Sequence, residues 1–290
     1  MPDLENTSRS WERTSLSRAL AAAVADLAAA GVTSPRVDAE LLAAHILGIS
    51  RGRLLLVDSL RPEELSRFTG LVAERARRIP LQHLLGTAAF RHLELEVGAG
   101  VFVPRPETEL LAGWGIGHTA PGATVVDLCS GSGAIALAVA DEAEPGRVVA
   151  VEQSPAALAY LRRNAARFPA VEVVEGDVTD PHLLAGSRGQ VDVLLCNPPY
   201  VPDGTPVPPE VAEHDPAAAV FGGGDGLTVI RPVIALAAAL LKPGGVVGLE
   251  HDDVHGEAVP ALLRADGRFA EVTAHDDLTG RPRYATARRT

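Results

Sequence analysis

Cysteine is scarce in this sequence. The two present, Cys129 and Cys196, have no Cys or His partner at zinc-ligand spacing, so no metal centre is expected. Free thiols in a reducing compartment are the simple reading. Aromatic residues are scarce too, at 4% against 47% hydrophobic residues overall, so the core must be aliphatic. Long apolar runs are missing: each is short or interrupted by Gly, Pro or charge, and no membrane span is expected. Residues 1–15 are polar, mixed in charge and without the apolar centre of a signal peptide, which points to the cytoplasm. An excess of positive charge is also lacking. Lys and Arg number 26 and Asp and Glu 37, a net charge of −11, whereas a protein that holds a length of nucleic acid usually presents a basic face. The balance favours a protein partner with basic surface of its own.

What is present changes character along the chain. Residues 1–15 read as a disordered leader. Residues 16–30 are rich in Ala and Leu and meet a natural helix stop at Gly31. Ser34-Pro35 opens a second helix, with Leu41, Leu42, Ile46 and Leu47 on one face. Pro62-Glu63-Glu64 starts a third, which runs towards Arg78 with Leu65, Phe68, Leu71 and Val72 at helical spacing. Residues 16–78 are therefore expected to form a small helical bundle. Ile79-Pro80 breaks the pattern, and partial alternation over 84–97 predicts a hairpin inside a linking segment, residues 79–100. Over residues 101–290 buried strands alternate with helices. Strands are expected at 125–128, 148–151, 171–174, 191–195 and 246–249, and helices at 134–141, 155–167 and 227–241. Two late segments, 269–274 and 283–287, finish the sheet. The pattern is α/β and predicts a doubly wound, mostly parallel sheet.

A first candidate site, Asp127-Leu128-Cys129-Ser130-Gly131-Ser132-Gly133-Ala134, follows a strand directly and opens a helix. Glycines there let the backbone approach a ligand closely. Ligands of open α/β sheets collect at the carboxyl ends of strands, and Glu152 ends the next strand about 20 residues on, where an acid can bind ribose hydroxyls. Asp177 ends the third strand, where an adenine should lie. A dinucleotide site would want a third glycine and a pyrophosphate on the helix terminus. An acid at Asp127 instead suits a cofactor with a cationic amino-acid end, so S-adenosyl-L-methionine fits better than NAD. Taken singly, each of these acids could be a solvated loop cap.

A second candidate site, Cys196-Asn197-Pro198-Pro199-Tyr200, follows the fourth strand. Two prolines stiffen the backbone and remove two N–H donors. The Asn197 side-chain oxygen and the Pro198 carbonyl can then accept both protons of a substrate NH₂ group, with Tyr200 as a flat wall. An amide nitrogen is a poor nucleophile because its lone pair is delocalised. Holding both of its protons aligns it with a methyl sulfonium and builds electron density on it.

Together the two sites resemble class I methyltransferases that modify planar nitrogens, whether adenine amino groups or glutamine amides. Further segments narrow the likeness. These are Ser34-Pro35-Arg36-Val37-Asp38-Ala39-Glu40-Leu41-Leu42, Arg78-Ile79-Pro80-Leu81-Gln82-His83-Leu84-Leu85-Gly86, and Phe102-Val103-Pro104-Arg105-Pro106-Glu107-Thr108-Glu109. His214-Asp215-Pro216, Gly222-Gly223-Gly224-Asp225-Gly226-Leu227, Lys242-Pro243-Gly244-Gly245 and Glu250-His251 follow in order. With these the chain resembles the HemK/PrmC family, which methylates the glutamine amide in the Gly-Gly-Gln loop of class 1 peptide chain release factors.

The resemblance implies a Rossmann-like class I methyltransferase domain behind a small N-terminal helical bundle and a linking β-hairpin. It implies S-adenosyl-L-methionine as cofactor and class 1 release factors as protein substrates. Cys129, Ser130, Gly131, Ser132 and Gly133 would line the methionine end, Glu152 the ribose, and Asp177 and Val178 the adenine. Asn197, Pro198, Pro199 and Tyr200 would hold the amide, with Phe102 and Pro104 closing its pocket. Arg105 and Glu107 would brace that wall or meet the substrate loop. The chain departs from the family at Cys129, commonly Gly; at Glu152, commonly Asp; at Val178, where a Trp can occur; and at Asp215, where Glu is frequent. Glutamine methylation of a ribosomal protein, adenine methylation of nucleic acid and a non-catalytic binding module remain alternatives. His251, His255 and His275 match no ligand set and read as surface or loop residues.

Overall fold

The computed structural model describes residues 14–290, in two compact units that divide between Leu85 and Gly86. The leader expected over 1–15 lies outside the described residues, except that Thr14 and Ser15 are described.

In the first unit β1 (Thr14–Ser15) runs into α1 (Leu16–Ala29), followed by α2 (Pro35–Leu47), β2 (Ser59–Leu60), α3 (Pro62–Ala76) and α4 (Leu81–Leu85). β1 and β2 form a two-residue antiparallel ladder. Pro35 sits in the first turn of α2, and Gly48 ends that helix in the left-handed region at φ 64°. The Glu64 carboxylate reaches back to accept the Arg61 N–H at 2.8 Å, closing the start of α3. Leu27, Leu42, Leu60 and Phe68 are the buried centre. One polar pair lies among them: Arg75 Nε donates to Asp38 Oδ2 at 2.7 Å, tying α3 to α2.

The second unit opens with a hairpin, β3 (Thr87–Phe90) and β4 (Leu93–Glu96), then α5 (Thr108–His118), β5 (Thr124–Leu128), α6 (Ala134–Glu142), β6 (Arg147–Glu152), α7 (Pro155–Ala165) and β7 (Val171–Glu175). β8 (Val191–Cys196), α8 (Pro209–His214), α9 (Ala217–Val220), α10 (Ile230–Leu240), β9 (Leu241–Glu250), α11 (Ala258–Asp266), β10 (Phe269–Asp276) and β11 (Pro282–Arg289) complete it. Seven strands form one sheet in the order β10-β11-β9-β8-β5-β6-β7. β9, β8, β5, β6 and β7 are parallel; β11 runs antiparallel to both β9 and β10.

Both faces are covered at the centre of the sheet, which is why β6 and β8 read as largely apolar runs, whereas the edge strands β7 and β10 are part-exposed. Val126, Leu128, Val149, Val151 and Leu194 pack towards α10 and α11. Val125, Val148, Ala150, Val193 and Leu195 pack on the other face with residues of α5, α6 and α7. The chain steps outward through β5, β6 and β7 and then returns to place β8 on the far side of β5. That reversal opens a crevice at the carboxyl ends of β5 and β8.

Three differences from the expected elements have physical causes. The helix expected from residue 227 begins at Ile230, because the Asp225 carboxylate accepts the Leu227 N–H and Gly226 turns at φ 72°. α5 was not expected. Its Gly113, Gly115 and Gly117 weaken the helical signal, yet a Cβ at Gly115 would stand 2.4 Å from Leu195 Cδ1, so glycine lets α5 lie close on the sheet. α11 was also not expected, and it carries Pro260 in its first turn, where no intrahelical N–H is needed.

Candidate functional site

The crevice holds a cleft lined by residues from both sequence motifs. At the end of β5, Cys129 turns the chain with φ 59°, a conformation uncommon for a side chain with a Cβ. Ser130 Oγ donates back to the Asp127 carbonyl at 3.0 Å. A Cβ at Gly131 would enter open space, whereas one at Gly133 would stand 2.7 Å from Leu161 Cδ1. Gly131 therefore fronts the cleft with Cys129, Ser130 and Ser132, while Gly133 packs the loop onto α7 and does not line it.

Asp127 is a lone acid in a buried strand, 1% exposed. Its Oδ2 accepts the Ala136 N–H at 3.1 Å, capping the first turn of α6. Its Oδ1 is buried without a hydrogen-bond partner, as is Ser132 Oγ. Burial pushes the carboxyl up to about 7. A buried carboxylate with one orphan oxygen and an orphan hydroxyl five residues on, both lining the cleft, match the ammonium of an amino-acid ligand. The donor set thus fits the methionine end of S-adenosylmethionine.

Glu152, at the end of β6, is engaged three times. Oε1 accepts the Gln153 and Ser154 N–H groups at 2.9 and 2.8 Å, and Oε2 accepts that of Gly131 at 2.9 Å. A carboxylate offers about four acceptor positions, so roughly one stays open on Oε2. A grip on two ribose hydroxyls would exchange the Gly131 contact. After β7, Gly176 and Val178 line the cleft, but Asp177 turns away. Its Oδ1 accepts the Thr179 N–H and hydroxyl at 2.8 and 2.7 Å, which hold its carboxyl below the usual range.

After β8, Asn197 and Pro199 line the cleft, together with Phe102 and Pro104; Pro198 and Tyr200 do not. Asn197 Nδ2 donates to Thr108 Oγ1 at 3.1 Å, which leaves its Oδ1 as acceptor on the cleft side. The Tyr200 hydroxyl points to Glu250, donating to Oε1 at 3.0 Å. Burial, with the Glu250 charge beside it, pushes that hydroxyl well above its ordinary range. Arg105 lies 4.5 Å above the Phe102 ring and donates to Asp215 Oδ2 at 2.6 Å. This pair joins the wall before α5 to the α8–α9 segment, whose Pro216, Ala218 and Ala219 close the cleft from the other side.

Sequence reasoning gave no role to Thr108, Gln153, Ser154 or the α9 alanines, which line the cleft, or to Asn164 behind it. Asn164 Nδ2 donates to the carbonyls of Ser132 and Glu96 at 2.9 and 3.0 Å, fastening the glycine loop and the hairpin to α7. Of the histidines, His251 and His255 are buried rather than on the surface, and His275 stacks on Tyr284. No cluster that could hold a metal occurs among the described residues. Nor is any described helix long and apolar enough to cross a membrane.

The family model for the PrmC N-terminal domain matches residues 18–86, and that for the methyltransferase small domain matches residues 89–214. The release factor glutamine methyltransferase of Mycolicibacterium smegmatis is 57% identical over 277 residues, covering 95% of this chain and 98% of that protein. The chain belongs to the release factor glutamine methyltransferase family. Another member of that family, from Mycobacterium tuberculosis, is 48% identical over 94% of this chain and 91% of its own length. Among solved structures, a 16S rRNA methyltransferase of T. thermophilus in complex with AdoMet and guanosine has a TM-score of 0.51 at 22% identity. It covers 70% of this chain and 50% of that one, and the likeness is one of fold. Like the rest of the release factor glutamine methyltransferase family, the chain is an S-adenosylmethionine-dependent methyltransferase with a class I α/β fold.

Proposed function

We propose that the enzyme methylates the side-chain amide nitrogen of the glutamine in the Gly-Gly-Gln loop of class 1 peptide chain release factors. The observation that carries this reading is the Asn197 side chain, whose NH₂ group donates to Thr108 and so turns its oxygen to the cleft, where it can accept a substrate N–H. An acceptor at the end of β8, beside the proline-stiffened turn, is what a primary amide needs.

Bound in the cleft, S-adenosylmethionine supplies an electrophilic methyl group on a sulfonium. Asp127 and Ser132 would hold its ammonium end and Glu152 its ribose, while Val178 would lie against the adenine. Asn197 Oδ1 would accept one proton of the substrate amide, aligning its nitrogen with the methyl group, while Pro198, buried beside it, stiffens the turn. Phe102 and Pro104 would exclude water from the reacting atoms. Tyr200 acts from behind the turn, through Glu250, rather than as a wall of the cleft. The proton leaves the nitrogen after attack, so no strong base is required at the site.

The N-terminal bundle would bind the body of the release factor while the second unit takes the loop tip. In a truncate lacking residues 1–85 that still binds cofactor, activity on intact factor should be lost; unchanged activity would refute this division of labour. The acidic chain suits a protein substrate rather than nucleic acid, and a cytoplasmic enzyme without membrane association. Incubation with methyl-labelled cofactor and three acceptors tests the substrate class. Label should enter a class 1 release factor, and label in ribosomal protein or nucleic acid instead would overturn the reading.

A further inference from the structure

We infer that Asn164 is a positioning residue of the cofactor site: by tying the Ser132 carbonyl to β4, it sets where the Ser132 hydroxyl meets the ammonium of S-adenosylmethionine. The inference rests on the ammonium assignment given above for Asp127 and Ser132.

The sequence marks this residue by contrast. The buried row of α7 is Ala157, Leu158, Leu161, Asn164 and Ala165, at helical spacing, and Asn164 is its one polar member. Asparagine is a weak helix former, and an amide on a buried face must find partners for two N–H groups and a carbonyl. Asn164, 6% exposed, finds all three. Its Oδ1 accepts the Glu96 N–H at 2.8 Å, and its Nδ2 donates to the Glu96 carbonyl at 3.0 Å and to the Ser132 carbonyl at 2.9 Å.

These partners allow the amide one orientation. A backbone N–H only donates, so the side-chain oxygen must face the Glu96 N–H, and both amide protons are then directed to carbonyls. Glu96 ends β4 between Leu95 and Val97, both buried, so the hairpin gives Asn164 a fixed footing. From that footing its second N–H reaches the corner of the glycine loop. One turn earlier on α7, Leu161 fills the space beneath Gly133, where a Cβ would stand 2.7 Å from its Cδ1. Leu161 supports the corner by contact, and Asn164 fixes its direction. The group so placed is Ser132, 2% exposed, which lines the cleft and whose Oγ is buried without a hydrogen-bond partner. A serine side chain has a single torsion before its oxygen, so a shifted backbone carries the hydroxyl out of bonding range of a ligand held elsewhere in the cleft.

The test compares two thioether ligands on the intact enzyme: S-adenosylhomocysteine, and 5′-deoxy-5′-methylthioadenosine, which lacks the amino-acid end. Asn164→Ala removes all three hydrogen bonds. It should raise the Kd of S-adenosylhomocysteine about tenfold, read by calorimetry, and that of methylthioadenosine by less than about twofold. Ser132→Ala should raise the Kd of S-adenosylhomocysteine about fivefold. The double variant should stay near about tenfold, against about 50-fold for independent effects. If Asn164→Ala does not fold, hydrogen exchange in wild type carries the test. At equal occupancy, S-adenosylhomocysteine should slow exchange of the Glu96 N–H about threefold or more beyond methylthioadenosine, because only the first ligand holds Ser132 and with it Asn164.

Four results overturn the proposal: unchanged S-adenosylhomocysteine affinity in Asn164→Ala, an equal loss for both ligands, a double variant whose loss is the product of the two single losses, or equal slowing of Glu96 exchange by both ligands. Ser132→Ala separates the proposal from the reading beneath it. If that variant binds S-adenosylhomocysteine as wild type does, the ammonium assignment fails and this proposal with it; if it binds more weakly, the Asn164 results judge the proposal alone.

Discussion

Lowering the pH from 7 to 6 should weaken cofactor binding about fivefold through the single carboxyl of Asp127. The cofactor's ammonium matches this group only when it is ionised, and burial holds the carboxyl at about 7. About half the molecules are ionised at pH 7 and about a tenth at pH 6, which gives the factor of five. The ligand's amino group stays protonated over this range, so its own titration does not intrude. Asp127→Asn keeps an acceptor for the Ala136 N–H but removes the charge. It should weaken binding by about 2 kcal/mol, roughly 30-fold at pH 7, and flatten the pH dependence.

The same carboxyl has the opposite effect on stability. Because its folded-state pKa is raised, the unfolded chain loses the proton first as pH climbs. The stability it lends is present below the ordinary carboxylate range and lost as pH rises towards 7. Asp127→Asn should therefore be more stable than wild type at neutral pH while binding cofactor less well, a pairing that general damage does not produce. Calorimetric titration of S-adenosylmethionine across this pH range, with denaturant unfolding of the ligand-free proteins, measures both. A wild-type Kd that is flat between pH 6 and 7, or a variant with the same slope, would refute the reasoning.

Asn197→Ala should reduce kcat by about 10²- to 10³-fold with cofactor affinity nearly intact, measured by label transfer and calorimetry; equal loss of both would mean its role is misassigned. Arg105→Ala strands the Asp215 carboxylate, whose side chain is 1% exposed, and should destabilise the second unit. The cost should be about 2 kcal/mol by thermal or denaturant unfolding, with partial recovery in the Arg105→Ala/Asp215→Asn pair. Gly115→Ala should destabilise by about 1–3 kcal/mol despite alanine's better helix propensity, since its Cβ would press on Leu195.

The central parallel strands are legible because both sheet faces are buried there, which writes β5, β6 and β8 largely as Val, Ala and Leu, while the edge strand β7 alternates Val with Glu. Asp127 stood out for the same reason, as a charge interrupting such a run. α5 is hidden because its three glycines erase the helical signal, although only Gly115 is required by close packing on the sheet. The site was legible where function is local in sequence, in the glycine loop and the Asn-Pro-Pro-Tyr turn. It was hidden where it depends on the fold. Thr108 lies 89 residues from Asn197, and Glu250 lies 50 from Tyr200. No spacing rule connects those pairs. A place at a strand end singles out Asp177, yet its side chain serves its own turn through Thr179, and the neighbouring Val178 meets the cleft.

The central claim is that the acceptor is one glutamine amide, in the Gly-Gly-Gln loop. Peptide mass spectrometry on a class 1 release factor, before and after incubation with enzyme and S-adenosylmethionine, tests it most directly. The account expects a single added methyl on that glutamine, absent with Asn197→Ala. A methyl on any other residue, or none on a factor incubated with cofactor-bound enzyme, would contradict it.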